Sequence, residues 1–308
     1  MSRWHLRRRA RAALAGLRDD AAAWFPDATP APGWPAGHFY SPIPDLEDIR
    51  RREGDLFGPA PAQLPAIDLR DEAQLALLDE LVVFQDEQPW GEDARAGLRY
   101  RFDNPNFQHG EALALYGMLR RLQPRRIVEV GSGWSSCAML DVNHRFLSGQ
   151  TACVFVEPYP KLLRELTSGE DLDIRAAPVQ DVGLELFTSL QDSDVLFIDS
   201  SHVAKAGSDV NHLVHEVLPR LHPGVVVHVH DILYPFEYPS DWVLQGRAWN
   251  EAYVLRAFLA FNSAYRIELF LSHLATHHHE ALAAALPLAL KSPGSSLWLR
   301  RTAAHSTR

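Results

Sequence analysis

From residue 125 onward, short apolar runs alternate with amphipathic stretches, and glycine, proline, aspartate or serine falls at each change. RRIVEVGSG, TACVFVEP, DIRAAPVQD, DVLFIDSS, GVVVHVHDI, YRIELFL and SSLWLRR read as strands. SSCAMLDVNHRFL, PYPKLLREL, LELFTSL, SDVNHLVHEVLPRL, WNEAYVLRAFLAF and LATHHHEALAAALPLAL read as the helices between them. Nearly continuous apolar strands are buried on both faces, and strands alternating with helices predict a doubly wound, Rossmann-like, mostly parallel α/β sheet of seven strands.

Upstream, residues 71–89 and 110–122 carry helical periodicity, and residues 3–24 have helical composition. Between them, residues 25–49 are too rich in proline and glycine for regular helix or central strand. They also hold Trp34, His38, Phe39 and Tyr40, an aromatic load that predicts packing on the body or cover over a site rather than a linker. The expected division is a helical and proline-rich cap over residues 1–110 and a sheet domain over residues 111–308.

Composition narrows the function classes. With 46% hydrophobic residues the 308-residue chain can bury a sizeable core. A net charge of -9 disfavours a broad phosphate-binding surface, so nucleic acid is not the expected partner. Cys137 and Cys153 lie far apart in apolar segments and read as reduced core residues, which suits a cytoplasmic protein. No run approaches the ~20 apolar residues of a membrane span. The arginine-rich start lacks the apolar stretch of a secretory signal and reads as a solvated helix face.

The candidate chemistry gathers where strands end. Gly131-Ser132-Gly133 follows the first strand, where glycines let backbone approach a ligand and the next helix offers free N–H groups. The pattern is neither GxGxxG nor a phosphate loop with its lysine, so nicotinamide dinucleotide and ATP are disfavoured. Glu157 ends the second strand, placed to accept two ribose hydroxyls or, equally, to sit as an acid at a helix start. Gln180-Asp181 after the third strand could read an adenine amino group or simply form a turn. Asp199 ends the fourth strand, and His202 follows at the same mouth as a candidate base. His228 and His230 share one face of the fifth strand, and Asp231 follows. Ends of adjacent strands converge at the switch point, so Asp199, His230 and Asp231 form a candidate divalent-metal set, with His228 deeper as a supporting or core residue; a buried polar network without metal is the alternative. In the loop beyond, Phe236, Glu237, Tyr238 and Arg247, with Glu251, are candidates for a substrate wall, as is Tyr40; a well-packed crossover loop is the plainer account. His277, His278 and His279 face different ways on a helix and read as surface.

Taken together, residues 125–301 resemble the class I S-adenosylmethionine-dependent methyltransferases. IVEVGSG is similar to their first motif, VEP to their ribose-binding acid, VQD to their adenine loop and DVLFIDSSH to their fourth motif, and the YRIELFL–SSLWLRR pair fits their closing antiparallel strand. FYSPIPDLEDI, FIDSSHV and HDILYPFEYP resemble stretches of a bacterial subgroup of the same class. The resemblance implies S-adenosyl-L-methionine held by Glu129, Gly131, Ser132, Gly133, Glu157, Gln180 and Asp181. Asp199, His202 and His230-Asp231 are similar to the pattern of metal-dependent sugar O-methyltransferases of macrolide biosynthesis, which implies Asp199 and Asp231 as metal ligands and His202 as the base. His230 departs from that pattern, where an acid stands, and shifts preference from magnesium toward manganese, iron or zinc. The expectation is metal-assisted O-methylation of a polar small molecule, a sugar or natural-product hydroxyl, free or borne on a peptide or carrier protein. Homodimers are common for such folds. The rival readings are a non-methylating metalloenzyme of oxygenase or hydrolase type, and a binding protein that has kept the fold without catalysis.

Overall fold

The computed structural model describes residues 33–303, so the helix expected over residues 3–24 lies outside the described part. The chain divides into two compact units, residues 1–49 and 50–308. In the first, the rings of Trp34 and His38 stack 4.4 Å apart and Tyr40 meets Trp34 edge-on at 5.2 Å. The proline-rich stretch is thus packed through its own aromatic side chains. Among the described residues, no helix is long and apolar enough to cross a membrane.

The second unit is built on seven strands: β1 Arg126–Val130, β2 Ala152–Val156, β3 Asp173–Arg175, β4 Val195–Ile198, β5 Val226–Val229, β6 Tyr265–Phe270 and β7 Leu297–Arg301. Their order is β3-β2-β1-β4-β5-β7-β6. β1 to β5 pair in parallel, while β7 runs antiparallel between β5 and β6. This is the doubly wound, mostly parallel sheet that the alternation predicted, with the antiparallel closing strand that the resemblance implied. β4 and β5 are buried along their whole length, which is why their sequences are apolar rather than alternating. Strand order reverses between β1 and β4, so the crevice for a ligand opens above those two strands.

Several expected helices are shorter or broken. Residues 209–220 form one α-helical turn, then a π-helical stretch over Leu213–Val217, then a 3-10 turn over Leu218–Arg220. Pro219 has no N–H to continue an α-helix. LELFTSL keeps only Glu185–Thr188 as helix. The expected helix over residues 274–290 is two, Leu271–His277 and His279–Ala285, parted by His278 at φ -130°, ψ 37°, with a 3-10 turn after them.

Residues 50–110 fold in the same unit as the sheet. The helix Asp71–Leu81 and the helix His109–Leu122 share a core with the helix Trp134–Phe146, through Leu78, Leu81, Tyr116 and Met139. The segment between them is tied down by one buried carboxylate. Asp141 accepts the Trp90 indole N–H at 3.0 Å, the backbone N–H groups of Arg99 and Tyr100 at 3.1 and 3.0 Å, and the Arg99 guanidinium at 3.0 Å. Removing it leaves the Trp90 indole and the Tyr100 backbone N–H without a partner in the interior, while the partly exposed Arg99 guanidinium keeps Glu170. Asp141→Ala is therefore expected to destabilise the protein by about 3–5 kcal/mol, and Asp141→Asn, which keeps one acceptor oxygen, by less. Urea midpoints of the two variants check the order; equal midpoints in variants and wild type would contradict it.

Candidate active site

The floor of the crevice is set by a close approach. Asp199 donates its N–H to Val130 O at 2.8 Å, carrying the β1–β4 pairing one residue beyond the strands. Gly131 sits at φ 81°, and a Cβ there would lie 2.1 Å from the Asp199 carbonyl oxygen. Glycine is required by sterics as well as by backbone angle. Beside it opens a cleft of about 490 Å³ whose wall includes Gly131, Glu157, Tyr159, Gln180, Asp199 and Lys205.

Three of the residues expected to hold the cofactor, Gly131, Glu157 and Gln180, line this cleft. Glu157 Oε2 accepts the Ser132 N–H at 3.0 Å and its hydroxyl at 3.3 Å, while Oε1 accepts the Tyr159 N–H at 2.8 Å. A carboxylate offers about four acceptor positions, so one remains free, and a second is freed if Ser132 turns its hydroxyl away. Gln180 donates its side-chain amide to Gly207 O at 2.7 Å. Gly133 begins the helix Trp134–Phe146, and Asp181 is an exposed turn residue; neither lines the cleft. Glu129 is fully buried beneath it, with its oxygens taken by the hydroxyls of Ser135, at 2.6 Å, and Ser136. Burial outweighs those hydroxyls and pushes its carboxyl up to about 8.

At the mouths of β4 and β5 the structure brings together Asp199, His202, His230 and Asp231, as expected, and adds three residues. His202 Nδ1 lies 2.9 Å from Glu251 Oε2, and its Nε2 lies 3.5 Å from Asp199 Oδ1 and 3.8 Å from Asp231 Oδ2. Glu251, itself buried, also accepts the Ser200 hydroxyl at 2.9 Å. The His202 carbonyl accepts the N–H groups of Asn250 and Glu251 at the start of the helix Glu251–Leu259, and the residue is held at a left-handed φ of 61°. Nδ1–H donating to Glu251 leaves Nε2 facing the mouth. Burial alone would lower His202, but the carboxylates of Asp199 and Glu251 outweigh it and raise it to about 10. His230 Nδ1 stands 3.3 Å from Glu111 Oε1, and its Nε2 stands 3.7 Å from Asp231 Oδ1. Burial opposes its charge as well; Glu111, Asp199 and Asp231 win and raise it to about 9. Ser295 Oγ lies 3.1 Å from Glu111 Oε1 and 2.7 Å from Asp231 Oδ1. Gly294, at φ 85°, leaves room for the Glu111 side chain, whose Cγ a Cβ would meet at 2.2 Å.

His228 belongs to the core. It stacks on Phe197 with 3.8 Å between ring centroids, faces Trp298 at 4.8 Å and shares a hydrogen bond of 2.9 Å with Ser296. Burial first, and then the neighbouring His230, hold it well below its ordinary value, so it is a neutral imidazole.

A second cleft of about 400 Å³ opens on the other side of the cluster, lined by Asn106, Glu111, Asp231, Trp242, Thr276 and Ser295 among others. The residues expected to form a substrate wall are elsewhere. Phe236 is buried against Phe270, and Tyr238 is buried among Trp242, Trp249 and Tyr253. Glu237 accepts the Tyr253 hydroxyl at 2.5 Å and, with Tyr238, borders a groove that no cluster residue lines. Arg247 lies over the rings of Trp242, at 4.5 Å, and Trp249, at 5.0 Å. It braces the aromatic residue of the second cleft and the one that touches His202 at 4.4 Å. Tyr40 lies in the separate N-terminal unit. The tight packing of the crossover loop thus removes Phe236 and Tyr238 from the surface, and Glu251, expected on the wall, stands behind His202. Glu111 and Ser295 were not anticipated. Glu111 had a local signal, an acid three residues after Gln108 at a helix start, but nothing near it in sequence points to His230.

Asp199, His230 and Asp231 face one mouth, but their ligand atoms do not all come within 4.8 Å of one another; among the described residues that closeness is met by Asp71, His273 and His278. The cluster does hold four carboxylates, Glu111, Asp199, Asp231 and Glu251, against two imidazoles.

Residues 128–232, from β1 past the end of β5, match the methyltransferase-domain family. An uncharacterised protein of Archaeoglobus fulgidus is 35% identical over 165 residues, which cover 52% of this chain and 75% of that one. The chain contains a methyltransferase domain of this family. Among solved structures, the methyltransferase PaMTH1 of Podospora anserina, bound to S-adenosylhomocysteine, is 14% identical with a TM-score of 0.40, over 90% of this chain and all of that one. The O-methyltransferase TomG of Streptomyces achromogenes, in complex with S-adenosylmethionine, is 16% identical with a TM-score of 0.40, over 74% and 90%. Family membership rests on the matched sequence, not on these superpositions.

In this methyltransferase the state of Glu129 has a consequence for stability. Its folded pKa is above the unfolded value, so the unfolded chain binds fewer protons between the two and stability falls as pH rises from about 4.5 to about 8. Glu129→Gln removes that loss. The melting temperature of the cofactor-free variant, relative to wild type, is expected to be higher at pH 8 than at pH 5.5; a pH-independent difference would contradict the assignment.

Proposed function

We propose that this methyltransferase transfers the methyl group of S-adenosyl-L-methionine to a hydroxyl of a polar small molecule, free or borne on a carrier, with His202 as the base. One observation carries the reading: His202 Nε2 stands between Asp199, which lines the first cleft, and Asp231, which lines the second. The first cleft takes the cofactor, with Gly131 under it, and with Glu157 and Gln180 at its ribose and adenine. The second takes the acceptor, with Trp242 as an apolar face and Asn106, Thr276 and Ser295 as polar handles. Pro105, Asn106 and Gln108 of the expected cap stretch thereby form part of the acceptor wall.

The acceptor oxygen attacks the methyl carbon in line with the departing sulfur. The C–S bond breaks to leave S-adenosylhomocysteine, and the hydroxyl proton passes to His202 Nε2. Glu251 holds the ring through Nδ1 and stabilises the imidazolium that forms. The carboxylates of Asp199 and Glu251 keep His202 protonated at neutral pH. A sulfonium held in the first cleft, which Asp199 lines, would offset part of that negative charge and favour release of the proton.

A second reading, assistance by a divalent ion (magnesium, manganese, iron or zinc) at Asp199, His230 and Asp231, is favoured by the excess of carboxylates in the cluster. Such an ion would act as a Lewis acid on the acceptor hydroxyl. No step above requires it.

The test is turnover with a panel of polyhydroxylated acceptors, read as S-adenosylhomocysteine formed. His202→Gln and Asp231→Asn are expected to lose about 100-fold or more in kcat while binding S-adenosylhomocysteine as wild type does. Because neutral His202 is the active form and its pKa is raised, the wild-type rate is expected to climb with pH above 7, and His202→Gln to flatten that climb. Variants that turn over like wild type would remove the base assignment. Loss of activity on chelation, restored by a divalent ion, would establish the second reading.

A further inference from the structure

Away from both clefts, Asp71, His273 and His278 converge from distant parts of the chain. Asp71 opens the helix Asp71–Leu81, His273 lies within the helix Leu271–His277, and His278 stands at the break after it. His273, fully buried, has Nε2 2.7 Å from Asp71 Oδ1. His278 Nε2 lies 3.3 Å from Asp71 Oδ2, without hydrogen-bond geometry. The ring of His277 is 5.2 Å from that of His273.

We infer that Asp71, His273 and His278 form a site for a divalent transition ion, zinc above all, that clamps the helix Leu271–His277 to the helix Asp71–Leu81. Two imidazoles and a carboxylate are the donors that zinc takes in three-ligand tetrahedral sites. Ligands at about 2.0–2.1 Å from a tetrahedral zinc stand about 3.3 Å apart, which is the spacing of His278 Nε2 and Asp71 Oδ2. The site also carries unmet polar atoms. His273 Nδ1, His277 Nε2 and His278 Nε2 are buried without a hydrogen-bond partner. Such nitrogens are costly inside a protein unless something binds them. An ion accounts for His278 Nε2 directly and leaves His277 as a donor close by. The expectation that the histidine run is surface is corrected for two of its members: His277 ends one helix and packs on Tyr234, and His278 stands at the break and faces Asp71, while His279 opens the next helix and is exposed.

The clamp has a reason to exist. Ser272, Ala275 and Thr276 of the same helix line the second cleft. Tyr234, whose ring lies 4.6 Å from His273, donates its backbone N–H to Ser272 Oγ at 2.8 Å. Fixing the helix through its histidines therefore fixes the wall of that cleft. This consequence rests on the acceptor reading above; binding of the ion does not.

The test uses the full chain, stripped with chelator and titrated with zinc and with cobalt(II). Wild type is expected to bind with the visible absorption of tetrahedral cobalt and to gain about 5 °C or more in melting temperature at zinc 100-fold above Kd. Asp71→Asn and His278→Ala, both at partly exposed positions, are expected to lose the cobalt spectrum and at least 10-fold in zinc affinity. Asp231→Asn, in the catalytic cluster, is expected to keep both. Absence of zinc binding to wild type, or loss in Asp231→Asn with none in His278→Ala, would overturn the inference. Neither result depends on turnover, so the clamp and the methyl-transfer reading fail separately.

Discussion

The site depends on how closely β1 and β4 approach where they leave the sheet. The Asp199 N–H still pairs with Val130, and its carbonyl oxygen occupies the space where any side chain at position 131 would begin. That contact does three things. It sends the chain after β1 sharply into the helix Trp134–Phe146. It opens the crevice at the point where strand order reverses. And it turns Asp199 out of the sheet toward His202. A larger residue at 131 would push the two strand ends apart and lose all three together.

Around that point the molecule concentrates charge that its interior would otherwise exclude. Glu111, Glu251, His202 and His230 are almost completely buried, and each has an opposite partner within hydrogen-bond or ion-pair distance. Burial disfavours every one of these charges taken singly. The balance is struck pairwise: Glu251 holds His202 from behind, and Glu111 holds His230. Asp199 and Asp231 face the clefts and are less enclosed. The buried pairs orient the two rings, while the two outer carboxylates line the clefts. Ser200, Ser295 and the Ser135–Ser136 pair satisfy carboxylate oxygens that would otherwise be bare.

The supporting groups come from segments with no motif of their own. Glu111 rides at the start of the helix His109–Leu122, Ser295 on the loop before β7, and Glu251 at the start of the helix Glu251–Leu259. Each sits at an element end, where backbone direction changes and a side chain can reach across the sheet mouth. The same logic joins Asp71 to His273 and His278, some 200 residues later in the chain. The helix Leu271–His277 presents one face to those ligands and another to the second cleft.

The sequence by itself determined the strands, the parallel core and the residues at the ends of β1, β2, β4 and β5. Those features are local: apolar runs of strand length, glycines where backbone must turn, and acids or histidines directly after them. It also determined that His228 and His230 share a face, because side chains alternate along a strand. The depth of His228 along the strand already marked it as the supporting or core residue, and tertiary structure supplied the contacts that separate the two. His228 falls between Phe197 and Trp298 and is silenced by burial, while His230, two residues on, reaches Glu111. It likewise decided that Phe236 and Tyr238 are buried by packing, that Glu251 stands behind His202, and that His278 leaves the surface for Asp71. Each of these outcomes turns on a contact between residues far apart in the chain, and a pattern of period two or 3.6 carries no record of such contacts.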